Sequence, residues 1–460
     1  MWHYFALRRV GITFIETILL ACCGLISYFF HYTDFPSSTG EYFFVLCKAL
    51  VIAVVFQFFL HLNDVYPSQG HQLSFKFIGL LLRAITFAVL AACIIFFVIP
   101  SLTLERSVFA WNLILASLFI FFWHTIIRVY LRIRLPHTNL LVLGVSDLAV
   151  TAVKEILEHP ELGIKVVGFV TDASDADDIS GINVKIIGDY DDFPSFVLEH
   201  SVNHIIVGLS DSRKKLPIEN LLEFKTKGML IESVEDFYER VAGKIPVENL
   251  RPSWLVFNSG FNISKDVFLQ KRILSILLSI LLLILTSPIL LLAMIAIKLD
   301  SKGSIFYKQK RVGQNGRVFK LIKFRSMRQD AEKATGPVWS TPGNDSRVTR
   351  VGRLLRRTRI DELPQIYNIL CGDMDLVGPR PERPVFVEQL SKEIPYYPLR
   401  HVVKPGVSGW AQVNYGYASK LEHTVEKLQY DLFYIKNMSL VLDLMVLFET
   451  VKTVLVRKGS

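Results

Sequence analysis

Two adjacent carboxylates stand out for chemistry. In RVGRLLRRTRIDELPQIYNIL (350–370), Arg353, Arg356, Arg357 and Arg359 precede Asp361-Glu362, and Pro364 limits the next helix to a short first turn. Carboxylates inside such a cationic cluster are expected to stay ionised, with lowered pKa values, and so to serve as metal ligands or as a nucleophile at neutral pH. A surface ion-pair network is the competing reading of the same residues. Downstream, CGDMDLVGPRPERP (371–384) sets Arg380 between two prolines that fix its backbone, and a guanidinium presents a fork suited to phosphate oxygens. Upstream, SIFYKQKRVGQNGRVFKLIKFRSM (304–327) alternates polar and apolar residues around Gly313-Gln314-Asn315-Gly316. That pattern predicts a hairpin delivering Lys323 and Arg325. HVVKPGVSGWAQV (401–413) is a further Gly/Pro-rich loop, and residues 430–458 read as one amphipathic helix lying on a membrane surface, with Asp443 on it.

These elements sit in a chain with a membrane composition. Of 460 residues, 51% are hydrophobic and 20% charged, which excludes disorder and small disulfide scaffolds. The net charge of +9 is unevenly spread: +4 over 1–136, −9 over 137–264 and +14 over 265–460. A basic third suits phosphates or anionic lipid headgroups, and beside membrane segments no nucleic acid partner is expected. Cys22, Cys23, Cys47, Cys93 and Cys371 show no ligand spacing, so thiolate-metal and disulfide chemistry are set aside.

Four apolar stretches, near 10–30, 43–62, 77–99 and 107–127, each approach the ~20 residues a helix needs to cross a bilayer. Arg8 and Arg9 before the first, and Arg128, Arg132 and Arg134 after the fourth, place both ends of the bundle in the cytoplasm. Arg83, inside the third run, is expected to snorkel to that interface. A fifth apolar run, 273–297, is flanked by basic residues on both sides and carries Ser287-Pro288 near its middle. A break at Ser287-Pro288, with entry and exit on the same face, reconciles those flanks and is favoured over a kinked spanning helix.

Between them, short apolar strands alternate with helical stretches from Asn139 onward, predicting a Rossmann-like α/β domain with a parallel sheet. Its first turn, Gly144-Val145-Ser146-Asp147-Leu148-Ala149, lacks the second and third glycines of the dinucleotide fingerprint. A structural or regulatory domain is the expectation.

KFRSM, TRIDELPQIYNIL, GDMDLVGPRPERP and KPGVSGWAQVNY, in this order, resemble the bacterial sugar transferase family of polyisoprenyl-phosphate hexose-1-phosphate transferases over nearly all of 265–460. The bundle and α/β domain ahead of them are similar to the long form of that family, as in undecaprenyl-phosphate glucose and galactose phosphotransferases, and PRPERP resembles the exopolysaccharide-type members. The resemblance implies three domains: a four-transmembrane-helix bundle (1–136), a Rossmann-like α/β domain (137–260) and a monotopic catalytic domain (265–460) with a re-entrant membrane helix (270–298). It implies transfer of glucose or galactose 1-phosphate from a UDP-hexose to undecaprenyl phosphate at the cytoplasmic face of the bacterial inner membrane, starting an exopolysaccharide, O-antigen or capsule. Carried over by residue, Asp361 would be the nucleophile, with Glu362 assisting and Mg²⁺ on both carboxylates. Arg380, Arg356, Lys323 and Arg325 would hold phosphates, and Asp443 would do metal or proton work. A homodimer through the membrane bundle is a further expectation, and a membrane-anchored scaffold is the competing function class.

Overall fold

In the computed structural model the described residues are 2–31, 39–63, 65–66, 75–102, 104–134, 138–159, 162–171, 184–208, 216–249, 259–261, 263–328, 347–415 and 421–456. They form two compact units, Met1–Ala242 and Gly243–Ser460.

The first unit begins with four long helices: α1 (Trp2–His31), α2 (Thr39–Leu62), α3 (Phe75–Val98) and α4 (Arg106–Arg134). Each contains a stretch long and apolar enough to cross a membrane: Ile12–His31, Phe43–Leu62, Phe77–Val98 and Arg106–Ile127. α1 packs on α2 and α4, and α2 on α3, around Leu20, Phe56, Leu81 and Ile120. On α3, Ala84, Ala88 and Ala92 recur every fourth residue on one buried stripe, and such small side chains let helices approach closely in lipid. The outward surface carries Phe97, Ile94 and Phe122, a composition costly in water and ordinary against hydrocarbon. Inside, Glu16 is fully buried, with the Tyr66 hydroxyl donating to Oε2 and His124 Nε2 2.8 Å from Oε1. That polar centre ties α1, α4 and the chain after α2 together, and no periodicity in the sequence announces it.

The α/β part follows the expected alternation: β1 (Thr138–Leu143), α5 (Asp147–Glu158), β2 (Ile164–Val170), β3 (Ile186–Gly188), α6 (Phe193–Glu199), β4 (His204–Val207), α7 (Ile218–Thr226), β5 (Leu230–Ser233) and α8 (Val234–Ala242). The strands are all parallel in the order β3-β2-β1-β4-β5. Leu140 to Leu143 on β1 are buried on both faces, one set packing with Ala152 and Phe237, the other with Phe193 and Phe224. Continuous rather than alternating hydrophobicity is what a doubly covered strand requires. At the turn after β1, Gly144 takes φ 85°, and the Ser146 hydroxyl caps α5 by accepting from Ala149 N at 3.2 Å. The chain thus caps the helix end that a dinucleotide fold offers to a pyrophosphate.

In the second unit, residues 243–249, assigned from the sequence to the middle domain, pair locally: Trp410 Nε1 donates to Gly243 O at 2.9 Å and Ile245 N to Gln429 O at 3.1 Å. The long apolar segment is α9 (Lys265–Asp300), capped by Ser264 and helical throughout its 36 residues. The expected division into two helices at Ser287-Pro288 is absent. Pro288 has no N–H for the Ile284 carbonyl, but the Ser287 hydroxyl donates to that carbonyl at 2.8 Å, so helical bonding continues past the proline.

β6 (Phe306–Val312) and β7 (Val318–Phe324) form the predicted antiparallel hairpin, with Asn315 and Gly316 both at positive φ in the turn. α10 (Arg350–Arg357) and α11 (Gln365–Cys371) follow, then β8 (Asp375–Val377), α12 (Pro384–Glu393), β9 (Gly406–Ser408) and α13 (Trp410–Asn414). β8 and β9 pair in parallel, and beyond their ends the two loops meet backbone to backbone. A Cβ on Gly378 would lie 2.5 Å from Lys404 O, and one on Gly406 would come closer still to Gly378 N, which is why glycine stands at both positions. The C-terminal stretch is two helices, α14 (Leu421–Lys436) and α15 (Leu440–Val456), rather than one. Ser439 restarts the helix by accepting from Leu442 N at 3.3 Å.

Candidate active site

Asp361 and Glu362 lie on a short 3₁₀ turn, Ile360–Glu362, between α10 and α11. The turn is entered through Arg359 at φ 58°, a left-handed conformation costing an L residue about 1–2 kcal/mol. Such local strain persists where the surroundings impose it, and it redirects the chain so that the carboxylates point inward.

The supports of this turn come from three directions. From β7, Lys323 Nζ donates to Glu362 Oε1 at 2.7 Å. From the loop after β8, Arg380 Nη2 donates to the same oxygen at 2.7 Å. From α10, Arg356 places its Nε on Ser326 Oγ at 2.9 Å. The strand carrying Lys323 is fastened to α11 by buried Asn368, whose Oδ1 accepts from Ile322 N at 3.0 Å while Nδ2 donates to Lys320 O at 2.8 Å. The loop carrying Arg380 is fastened by β6, where Val312 N donates to Glu382 O at 2.9 Å.

The two neighbours end in opposite states. Glu362 is pushed up by burial, but Arg380 and Lys323 more than offset this and hold it well below the usual carboxylate range. Asp361 is 8% exposed, and its Oδ1 accepts no hydrogen bond from the described residues. Burial first, then the charge of Glu362, push Asp361 up to about 6 against the opposing pull of Lys323, Arg356 and Arg359. The expected lowering occurs at Glu362, though through Arg380 and Lys323 rather than the cluster at 353–359, and is corrected for Asp361, where desolvation outweighs Coulomb attraction. A carboxylate that is ionised at neutral pH, desolvated and incompletely hydrogen-bonded is a reactive one.

Residues 266–457 match the bacterial sugar transferase family, and residues 61–223 match a family described as a CoA-binding domain. A UDP-N-acetylgalactosamine-undecaprenyl-phosphate N-acetylgalactosaminephosphotransferase of Aeromonas hydrophila is 42% identical over 228 residues, 49% of this chain and 52% of that protein. The chain therefore spans about half the length of that relative. A UDP-glucose:undecaprenyl-phosphate glucose-1-phosphate transferase of Klebsiella pneumoniae is 32% identical over 442 residues, covering 93% of this chain and 92% of its own length.

The chain belongs to the bacterial sugar transferase family.

It is a long-form member, for the alignment takes in the membrane helices and the α/β domain as well as the catalytic unit. A namesake of the Klebsiella protein from Escherichia coli K12 is likewise 32% identical, over 90% of this chain and 89% of its own.

Within this sugar transferase, Asp361, Glu362, Lys323, Arg356 and Arg380 come together. Arg325 does not join them. Buried at the end of α9, it donates to the carbonyls of Ser301 (2.7 Å) and Lys302 (3.0 Å), where a cation completes the helix C-terminus. Although two residues from Lys323, it lies past the last residue of β7, so strand alternation no longer places both on one face. Asp443 is also elsewhere. It takes Lys271 Nζ at 2.8 Å and the Tyr434 hydroxyl in a buried node that joins α9, α14 and α15, and Lys271 reaches on to Val377 O at 2.6 Å. Ser287 and Pro288 act within α9, as described above.

Sequence reasoning missed Arg400. Its guanidinium is buried, donates to Asp431 Oδ2 at 2.7 Å and to Arg380 O at 3.0 Å, and so fixes the backbone of the arginine that bonds Glu362. No charge pattern marks it, because its partner lies 31 residues away.

For a divalent cation, no cluster of three or more His, Cys, Asp or Glu side chains occurs among the described residues. Mg²⁺ commonly takes one or two carboxylates and completes its shell with water and substrate phosphates. The orphaned Oδ1 of Asp361 fits that role; Glu362 Oε1 is already shared between two cations.

Proposed function

We propose that this protein transfers a sugar 1-phosphate from a UDP-sugar to undecaprenyl phosphate and releases UMP, with Asp361 as nucleophile. The observation that carries this reading is the divergence of two adjacent carboxylates, one saturated by cations and one desolvated with an oxygen available. Asp361 attacks the β-phosphorus, the bond to UMP breaks, and a sugar-phosphoryl aspartate forms. A phosphate oxygen of the lipid then attacks the same phosphorus and restores the carboxylate. Lys323 and Arg380 hold Glu362 and face the diphosphate with it, and Arg356 adds positive charge beside Asp361. Asp361 is the residue that would hold a Mg²⁺ here, and the ion would supply charge neutralisation between the carboxylate and the phosphates.

The donor we infer is UDP-glucose, ahead of UDP-galactose, because the relatives aligned over about nine-tenths of the chain are named for glucose. The product is the first lipid-linked intermediate of a surface polysaccharide. UMP release by purified protein in nanodiscs, with undecaprenyl phosphate, Mg²⁺ and a panel of UDP-sugars, tests both points. Release with UDP-glucose above the other donors is expected, and a strong preference for UDP-N-acetylgalactosamine overturns the donor assignment.

A donor in the cytosol and an acceptor in the membrane need a site at the cytoplasmic interface. We infer that α9 enters and leaves the membrane on that face as one continuous helix kinked, not divided, at Pro288. Lys265, Lys271 and Arg272 near one end and Lys298 and Lys302 near the other support it, since a crossing would put one cluster outside. Cysteines placed before Lys265 and after Lys302 are expected to react only with a reagent on the cytoplasmic side. Labelling of the second from outside contradicts this topology.

A further inference from the structure

Arg83 is a cation within an apolar membrane helix that the transfer reaction does not use. Arg83 lies six residues past the start of the apolar stretch Phe77–Val98, ~9 Å along the helix axis, and its side chain is exposed on the outer surface of the bundle. The α3 surface around it is hydrocarbon, with Leu82 and Phe87 both exposed.

One edge of the guanidinium is fixed. Arg83 Nε donates to Asn63 Oδ1 at 2.7 Å. Asn63 is buried just beyond the end of α2 and is itself oriented, with Nδ2 donating to Phe59 O at 2.8 Å. Arg83 therefore reaches toward the end of α2, as snorkelling requires, but it is anchored there by a preset amide rather than left to wander in water. Among the described residues Nη1 and Nη2 have no acceptor, and no carboxylate lies within ion-pair distance.

A guanidinium stays charged in proteins, and a charge at the edge of hydrocarbon is costly without a counter-ion. The anions found at that depth are lipid phosphates, whose paired oxygens match the open side of the fork. We propose that Arg83, held through Nε by Asn63, binds a lipid phosphate at the α2–α3 edge of the membrane bundle, its two Nη groups donating to two phosphate oxygens. The proposal holds whether or not the transfer reaction is as proposed. Two lipids carry this chemistry, a polyprenyl monophosphate and an anionic glycerophospholipid.

Native mass spectrometry of the full chain, titrated with undecaprenyl phosphate in one arm and phosphatidylglycerol in the other, tests it. A catalytic-site lipid persists in every variant, so the readout is loss of one additional bound lipid. Arg83→Gln is expected to weaken that lipid at least about tenfold, the scale of one charge-assisted contact, and Asn63→Ala to weaken it less. Loss confined to the first arm assigns a polyprenyl phosphate, loss confined to the second assigns a glycerophospholipid, and loss in both assigns the phosphate group itself. Unchanged binding in both arms overturns the site. If Arg83→Gln does not accumulate, Arg83→Lys keeps the charge without the fork; binding several-fold weaker than wild type supports the site, and equal binding overturns it.

Discussion

Asp361→Asn is expected to lower UMP release by about 10⁴-fold or more, the scale of losing a covalent nucleophile, while the protein becomes more stable at pH 7. Both effects come from one cause. Burial and the neighbouring Glu362 raise the Asp361 pKa to about 6 in the folded protein, against 3.8 for the ordinary group. The folded state therefore binds the Asp361 proton more tightly than the unfolded state does. Stability from this group is complete below about pH 4, falls as pH rises between the two values, and stays reduced above 6. A neutral amide removes that penalty, as active-site substitutions that relieve strain often do. Thermal midpoints of wild type and Asp361→Asn are expected to differ at pH 7 and to converge near pH 4. An inactive variant with an unchanged or lower midpoint at pH 7 would mean that Asp361 is not held against a desolvation cost.

Glu362→Gln is expected to reduce kcat by about 10²- to 10³-fold, the scale of removing a preorganised charged contact, and to shift the pH profile. Wild-type kcat/KM is expected to fall below about pH 6 as Asp361 takes up its proton. Glu362 is the second contributor to that raised value, after burial. Replacing its charge leaves Lys323, Arg356 and Arg359 to act on Asp361 without an opposing anion. The acid limb of the variant should therefore lie at lower pH than that of wild type. An acid limb that stays in place, or moves upward, contradicts the assignment of that limb to Asp361 coupled to Glu362.

These consequences trace the boundary of what the sequence makes legible. The hairpin was readable because Asn315-Gly316 can take positive φ between two alternating strands. The parallel sheet was readable because apolar runs such as Leu140 to Leu143 alternate with helical stretches, and Asp361-Glu362 stood out within its arginine cluster, while only the family resemblance grouped Lys323, Arg356 and Arg380 with it. The direction of the Asp361 pKa was not. Counting arginines gives the Coulomb contribution and omits desolvation, which depends on tertiary burial. Arg325 follows Lys323 by two residues, yet it serves the carbonyl end of α9, a partner chosen by packing. Asp443 reads as a charge on a membrane-surface helix and, by the resemblance, as a candidate for metal or proton work, whereas Lys271, 172 residues earlier, buries it in a structural ion pair. The Ser287-Pro288 pair signals a broken helix in one dimension, and the Ser287 hydroxyl replaces in three dimensions the bond that proline removes. Glu16 with His124 and Arg400 with Asp431 were invisible for the same reason: each pair closes over a long separation with no periodic signature.

The measurement closest to the central claim is peptide mapping of the purified protein after incubation with UDP-glucose and Mg²⁺, without lipid acceptor. A sugar-phosphate adduct on Asp361, formed together with a burst of UMP and discharged on adding undecaprenyl phosphate, is the predicted result. Full turnover with lipid present, but neither adduct nor UMP burst in its absence, would contradict a covalent role for Asp361.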